Sequence, residues 1–190
     1  MNVHTWIAND LDSVRSKLTD SVLSVVPKQR WVEHADNGGS SIAHLLLHVA
    51  RHQDLAVTTA IRDHPPLFVA HCADLGLADA GASVGLAERE DQAVSNSLSL
   101  DSLLAYVDAV FAATGSWLHD VGSMALDTIP DTSRRLVDKA DIAVDHVGWL
   151  HRMWADKPVW WLVQWPIVAH GHAHVGEAIS IRNRMGLSPF

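Results

Sequence analysis

The most informative stretch of this sequence is GGSSIAHLLLHVARHQD, residues 38–54. Ser40 or Ser41 can cap a helix there, because a serine side chain accepts a hydrogen bond from the free amides of a first helical turn. The predicted helix runs over Ile42–Arg62 and ends before a Pro-Pro pair. Since it is apolar on most sides, it belongs in the interior of a helical bundle rather than on its surface.

Two further segments have apolar residues at spacings of three and four, which is typical of amphipathic helices. One extends over residues 7–25 and ends at Pro27. The other follows a capping residue, Ser99 or Asp101, and ends near Gly122. Both segments are predicted to be principal helices of the same bundle.

The last principal helix is predicted to begin near Trp165, or to be kinked there, because the proline that follows is best tolerated in a first helical turn. It continues to Met185, and Gly186 ends it in the left-handed conformation. Residues 141–155 are predicted to form a shorter helix. Residues 65–98, rich in alanine and glycine, are predicted to be a long connection with some irregular helix.

These elements predict an all-α fold, a four-helix bundle with a long crossover connection and short extra helices. The length of 190 residues suits a single domain covering residues 1–190. No stretch approaches the roughly 18 uninterrupted apolar residues that a membrane helix needs, so we expect no membrane partner. The N-terminal residues lack a basic region followed by an apolar one, and a cytoplasmic location is therefore expected.

The charge balance argues against nucleic acid as a partner. Lys and Arg total 14 against 22 Asp and Glu, a formal net charge of −8, whereas phosphate binding draws on clustered basic residues. Cys72 is the single cysteine, which excludes disulfides within the chain and a thiolate metal cluster; we expect it to be a small buried residue. The 13 histidines must therefore act without sulfur ligands.

Histidines cluster in two places. In the last helix, His170 and His174 are four residues apart and share one face, whereas His172 points to roughly the opposite side. Such a pair can bind a metal ion, or it can be two partly buried imidazoles bonded to neighbouring helices.

The second cluster consists of His44, His48 and His52, each four residues apart on the apolar helix. One imidazole from this helix would complete three ligands around an ion and leave a coordination position open, as in catalytic zinc sites. Helical periodicity alone does not decide which of the three is the ligand, although it slightly favours His52.

The two histidine-containing stretches resemble motifs of the DinB/YfiT-like superfamily. Residues 38–54 are similar to its second-helix signature, in which a glycine-containing turn opens the helix, and on that register the metal ligand is His48. Residues 169–186, AHGHAHVGEAISIRNRMG, are similar to its last-helix pattern, His-Gly-x-x-His followed by glycine, which makes His170 and His174 the other two ligands. Glu177 stands where the superfamily often has glutamine.

This resemblance implies one divalent ion held by His48, His170 and His174. We expect Zn²⁺, with Ni²⁺ and Fe²⁺ as alternatives, since imidazole suits all of them. His44 and His52 are then expected to be polar neighbours at the edge of the bundle.

The resemblance also implies an activity: transfer of a low-molecular-weight thiol, of the mycothiol or bacillithiol type, to an electrophile. A metal-dependent thiol S-transferase is thus the leading hypothesis, with a small-molecule thiol and an electrophile as partners, and a homodimer as a candidate assembly. The alternatives are a metal-dependent hydrolase on the same site and a non-catalytic metal-binding protein for stress response or interaction.

Residues around these motifs add three expectations. Glu177 shares the helix stripe of His170 and His174, and is the candidate catalytic residue: it could bond a ligand imidazole, accept a proton beside the metal, or pair with an arginine. A run of tryptophans precedes the last helix and could form an aromatic wall, although core packing is the favoured interpretation: Trp149, Trp154, Trp160, Trp161 and Trp165. Three polar residues before that helix are expected at the surface: Asp145, His146 and His151.

Overall fold

The computed structural model describes residues 3–35, 38–87 and 94–189, and these contain helices but no strand. In chain order the α-helices are α1 (Val3–Leu18), α2 (Ile42–Asp54), α3 (Phe68–His71), α4 (Leu100–Asp120), α5 (Thr132–Ala140), α6 (Gly148–Trp154), α7 (Val159–Leu162) and α8 (His170–Arg184). π-Helical segments extend α1 (Thr19–Leu23), extend α2 (Leu55–Ile61) and join α7 to α8 (Val163–Ala169). Short 3₁₀ turns cover Lys28–Arg30 and Ser123–Asp127.

The predicted four-helix bundle is confirmed. Helices α1 and α2 each pack against both α4 and α8, so the four long helices of the described residues surround one apolar core. As predicted, a long crossover joins α2 to α4, and α3 is its short helical part.

Helix α2 occupies the interior, as its sequence predicts. Each of its residues is buried, polar ones included. The Ser41 side chain caps it by accepting a hydrogen bond from the His44 amide at 3.2 Å. Polar side chains on this helix are therefore enclosed by protein and must find their partners there.

Helix α8 comes close to α1 because it has a glycine at the contact. A Cβ atom on Gly171 would lie 3.0 Å from Cγ1 of Val14, which is tighter than ordinary van der Waals contact. The same helix also packs on α2, so α8 contacts both neighbouring helices of the bundle.

The crossover is tied to α2 by two buried polar side chains. Asp54 accepts hydrogen bonds from the backbone amides of Leu67 and Phe68, at 3.0 and 2.9 Å, and from the Tyr106 hydroxyl at 3.0 Å. Arg51 donates to the Val84 carbonyl at 3.1 Å. These bonds bring residues 84–86 of the crossover against the middle of α2.

The helices differ from the sequence-based expectations at two places. No helix is predicted over residues 132–140, yet α5 forms there, and Asp131 caps it by accepting from the Arg134 amide at 3.3 Å. The last helical stretch begins at Val159 rather than near Trp165. The alternative expectation, an irregularity at Trp165, agrees with the π-helical segment that contains Pro166. A wider turn suits proline, because its ring clashes with the carbonyl four residues earlier in an α-helix.

Within the described part of the chain, no helix combines the length and the apolar character that crossing a membrane requires.

Candidate metal centre

Four imidazoles meet where α2 packs against α8. The Nε2 atom of His170 lies 3.1 Å from Nε2 of His48 and 3.0 Å from Nε2 of His174. His52 joins them: its ring centroid is 4.6 Å from those of His48 and His170, and the ligand nitrogens of these three residues lie within 4.8 Å of one another.

The outer sides of these rings bond to other groups. Nδ1 of His48 donates to the Gly85 carbonyl at 2.9 Å, so the proton of the neutral ring is on Nδ1 and the Nε2 lone pair points inward. Nδ1 of His174 donates in the same way to Oε2 of Glu177 at 2.9 Å. The His52 ring bonds to the backbone of Leu86. Such outer partners orient the imidazoles of metal sites.

Burial favours the neutral form of three of these imidazoles. Burial and, after it, the neighbouring His174 lower the pKa of His48 to about 4. The pKa of His170 falls to about 3 through burial and then through His174 and His48. Burial and the adjacent imidazoles also lower the pKa of His52. Neutral imidazole is the form that binds metal ions.

Counting protons shows that a cation fits between these rings. His48 presents an unprotonated Nε2, so its 3.1 Å contact with His170 needs a hydrogen on His170 Nε2. That hydrogen cannot also bridge the 3.0 Å contact between Nε2 of His170 and Nε2 of His174. If Nε2 of His174 carried the hydrogen instead, Nε2 of His170 would accept it, and the contact between His48 and His170 would have no hydrogen. Two imidazole nitrogens that bind one tetrahedral zinc at about 2.0–2.1 Å are about 3.3 Å apart, and the separations of 3.1 and 3.0 Å here are close to that value.

One ring nitrogen strengthens this fit. Nε2 of His52 is buried and has no hydrogen-bond partner among the described residues. Buried polar atoms without a partner are rare in proteins, and each calls for an explanation such as an ion. The donor set of neutral imidazoles suits zinc, nickel, copper or iron.

The structure brings His48, His170 and His174 together, while its placement of the other α2 histidines corrects the sequence interpretation. His44 and His52 do not lie at the bundle edge, because α2 is enclosed on all sides; both are buried. His52 belongs to the cluster, whereas the ring centroid of His44 is 6.0 Å from that of His48.

Glu177 lies behind His174, away from the other imidazoles. Its pKa is lowered by the hydrogen bond from His174, against the opposing effect of partial burial, and a hydrogen bond from Ser40 acts in the same direction as that from His174. The carboxylate contacts Nδ1 of His174, and the ring separates it from the Nε2 atom that faces the cluster.

A cavity of about 320 Å³ adjoins the imidazoles. One side is histidine and the remainder is mostly apolar; the lining residues are His48, His52, Leu86, Ala87, Trp149, Met153, Trp165, Pro166 and His170. Some of the tryptophans form an aromatic wall and others pack in the core, the two roles that the sequence suggests. Trp149 and Trp165 line the cavity and Trp154 is fully buried in the core, while Trp160 is half exposed outside the lining.

The sequence interpretation missed the crossover's contribution to the centre. The backbone at Gly85 and Leu86 bonds to His48 and His52, and only the glycines of residues 65–98 hinted at a special backbone there. Gly85 has φ of +78°, which is in the left-handed region. Its Cβ would lie 2.9 Å from Cγ of Leu47, so this loop approaches α2 closely only because the residue is glycine.

Outside the centre, two expectations were wrong and one was confirmed. Asp145 and His146 are exposed, as predicted. His151 is buried instead: its Nε2 donates to the Ile142 carbonyl at 2.9 Å, and the Ser133 hydroxyl lies 2.7 Å from its Nδ1. Cys72 is only partly buried.

The fold and the paired motifs agree with the comparison to protein families. A family model described as the DinB superfamily matches residues 10–178. The chain belongs to the DinB superfamily. The match covers the α2 stretch and the start of α8, the two elements that carry the DinB-type histidines. A search of curated proteins found no match.

The lowered pKa values predict that the metal-free protein is sensitive to acid. An unfolded histidine titrates near its ordinary value of 6.5, while folded His48 titrates at about 4. Below pH 6.5 the unfolded chain therefore binds protons that the folded chain does not, and the free energy of unfolding falls as the pH drops. Urea unfolding with chelator at pH 7.5, 6.5 and 5.5 measures this. A His48→Gln variant should show a weaker pH dependence, and profiles parallel to the wild type would contradict the explanation.

Proposed function

We propose that this protein is a metal-dependent S-transferase for a low-molecular-weight thiol of the mycothiol or bacillithiol type. His48, His170 and His174 would hold one divalent ion, with Zn²⁺ as the expected metal. The observation that carries the proposal is that the Nε2 atoms of His48 and His174 both lie about 3 Å from Nε2 of His170, at the wall of a mostly apolar cavity.

Two features favour His174 over His52 as the third ligand. Its Nε2 is 3.0 Å from that of His170, which is close to the spacing expected of two ligands of one ion. Its Nδ1 is held by a carboxylate, the arrangement that raises the basicity of a metal-binding imidazole. His52 lines the cavity and bonds only to a backbone group, so we place it beside the coordination position left open for the thiol.

A bound divalent ion would supply the positive charge that lowers the pKa of a coordinated thiol and keeps it as thiolate. The residues of the chain would hold and orient the two reactants. The cavity beside His48 and His170 would receive the electrophile, and its tryptophans would provide apolar surface for it. In the transfer, the thiol proton passes to solvent, the sulfur forms the new C–S bond, and the leaving group departs with the electron pair of its bond to carbon.

The geometry argues against a hydrolase in which a carboxylate such as Glu177 accepts the proton. A hydrolase needs a proton acceptor that faces the bound substrate. Among the described lining residues of the cavity there is no carboxylate, and Glu177 contacts the far side of the His174 ring.

A conjugation assay tests the proposal. Protein reconstituted with Zn²⁺, Ni²⁺ or Fe²⁺ is mixed with monochlorobimane and with mycothiol, bacillithiol or glutathione. We expect at least one thiol to give fluorescent adduct faster than the protein-free reaction, and chelation to remove the acceleration. Stoichiometrically metallated protein that accelerates none of these reactions would contradict the S-transferase and leave a non-catalytic metal-binding role.

Glu177 is proposed to position His174 rather than to react. Glu177→Ala removes the acceptor of the Nδ1 hydrogen, and we expect metal affinity to fall by about 10- to 100-fold. Glu177→Gln keeps an acceptor oxygen and restores the residue that the superfamily often carries, so we expect less than about a tenfold change, with helicity unchanged. Chelator competition measures both. A Gln variant that binds metal fully but has lost the acidic limb of its pH–rate profile would instead show that Glu177 accepts a proton.

A further inference from the structure

We infer that the electrophile carries a flat aromatic group of one or two rings, which packs against Trp149 and Trp165 in the cavity beside the histidines. This inference rests on the proposed function, because it names the acceptor of the thiol. It is drawn from the shape and the composition of the described cavity wall.

The two indoles belong to different elements that both reach the centre. Trp149 lies in the first turn of α6, and its ring centroid is 5.9 Å from that of His52 with 35° between the ring planes. Trp165 lies in the π-helical segment that ends where α8 begins at His170. An aromatic group that touches Trp149 therefore lies beside the His52 imidazole, and Trp165 lines the same cavity.

Both indoles have surface available to a ligand. Each is 40% exposed although it lines a cavity. Covering this apolar surface with a ligand removes it from water, which favours binding. Met153 lies in the same wall, and a flexible thioether adapts its shape to an aromatic edge. Offset or edge-to-face packing on an indole favours a flat ring over a saturated one of equal size.

The size of the cavity restricts the ligand. Its volume of about 320 Å³ is at the lower end of small-molecule sites, so one or two fused rings with a reactive side arm fill it. A halomethyl arene is an electrophile of this class. Its carbon would take the sulfur, and the halide would leave with the electron pair of the carbon–halogen bond.

Binding of an unreactive analogue tests the inference without a thiol and without turnover. The metal-loaded protein is titrated with 2-naphthylmethanol, followed by ligand-observed NMR, and separately with its decahydro counterpart. We expect the aromatic alcohol to bind, and to bind several-fold more tightly than the saturated one, because only a flat ring stacks on indole.

Matched variants locate the binding site. Trp149→Leu and Trp165→Leu keep apolar volume but remove the flat ring, and each should weaken binding of the aromatic alcohol by about tenfold, as the loss of one aromatic contact predicts. Trp149→Phe and Trp165→Phe should restore most of it. Trp160→Leu is the control, since Trp160 is 49% exposed and lies outside the lining, and it should bind as the wild type does.

Three results would overturn the inference: no binding of the aromatic alcohol, equal binding of the saturated one, or equal weakening in the Trp160 variant. Its failure is distinguishable from failure of the proposed function. If naphthylmethanol binds as expected but no thiol is conjugated, the cavity is an aromatic binding site and the proposed S-transferase activity is contradicted. If conjugation proceeds while aromatic alcohols fail to bind, the acceptor is of another class.

Discussion

Replacing His48, His170 or His174 by alanine is expected to abolish binding of one equivalent of divalent metal per chain. Their Nε2 atoms lie at ligand spacing, and each variant removes one of three donors. Zinc sites with four ligands bind with about 10–16 kcal/mol, so one ligand accounts for several kcal/mol, which is more than about a hundredfold in Kd. Metal analysis of protein purified without a histidine tag, after gel filtration, measures the stoichiometry.

His52→Ala is the variant that discriminates between ligand sets. If His174 is the third ligand, the His52 variant keeps a full equivalent and the His174 variant loses it; the reverse result would make His52 the ligand. His172→Ala is the control on α8, because two residues along a helix is about 200° of rotation from His170, and it should bind as the wild type does. Far-UV circular dichroism checks that helicity is unchanged. Full equivalents in all three ligand variants would refute the site.

The parts of the fold that follow from local sequence were predictable. The apolar periodicity of α1 and α4 and the serine cap of α2 depend on residues within a few positions of each other, and the structure has them where the pattern predicts. Helix α5 was missed because its 9 residues are fewer than the roughly 11–18 over which helical periodicity is read from a sequence. The Asp131 cap was the available signal.

Only the part of the candidate site that lies on a single helix could be predicted from the sequence. His170 and His174 are four apart, and that spacing alone places them on one face. The choice between His48 and His52 depends on how α8 and the crossover pack on α2. The periodicity of the α2 sequence carries no information about that packing. The same holds for the hydrogen-bond acceptors at Gly85 and Leu86. Along the chain they lie 37 and 34 residues from the histidines that donate to them. The burial of His44 likewise follows from packing on every side of α2.

Gly85→Ala is expected to damage both stability and metal binding, because the crossover supports the centre through that residue. Two costs combine. Alanine at φ of +78° is strained by about 1–2 kcal/mol. Its Cβ would also lie 2.9 Å from Cγ of Leu47 and 3.2 Å from Cγ of Arg51, on a helix that is buried and cannot move aside, which adds about 1–3 kcal/mol of overpacking.

The matched control is Gly81→Ala, in the same crossover. Gly81 has φ of +80°, so alanine there carries the same backbone strain, but a Cβ on it meets no atom of the described residues within 4 Å. We therefore expect Gly81→Ala to lower the free energy of unfolding by about 1–2 kcal/mol and to leave metal affinity unchanged.

Gly85→Ala should differ from this control in both measurements. To escape the clash, the loop must move away from α2, and the Gly85 carbonyl moves with it, so Nδ1 of His48 loses its acceptor at 2.9 Å. Loss of such an outer hydrogen bond weakens metal affinity by about 10- to 100-fold. Urea unfolding of the metal-free protein and chelator competition on the metal-loaded protein separate the two effects. If the two glycine variants prove equal in metal affinity, the crossover does not orient His48, and the imidazole must be held by its packing on α8 alone.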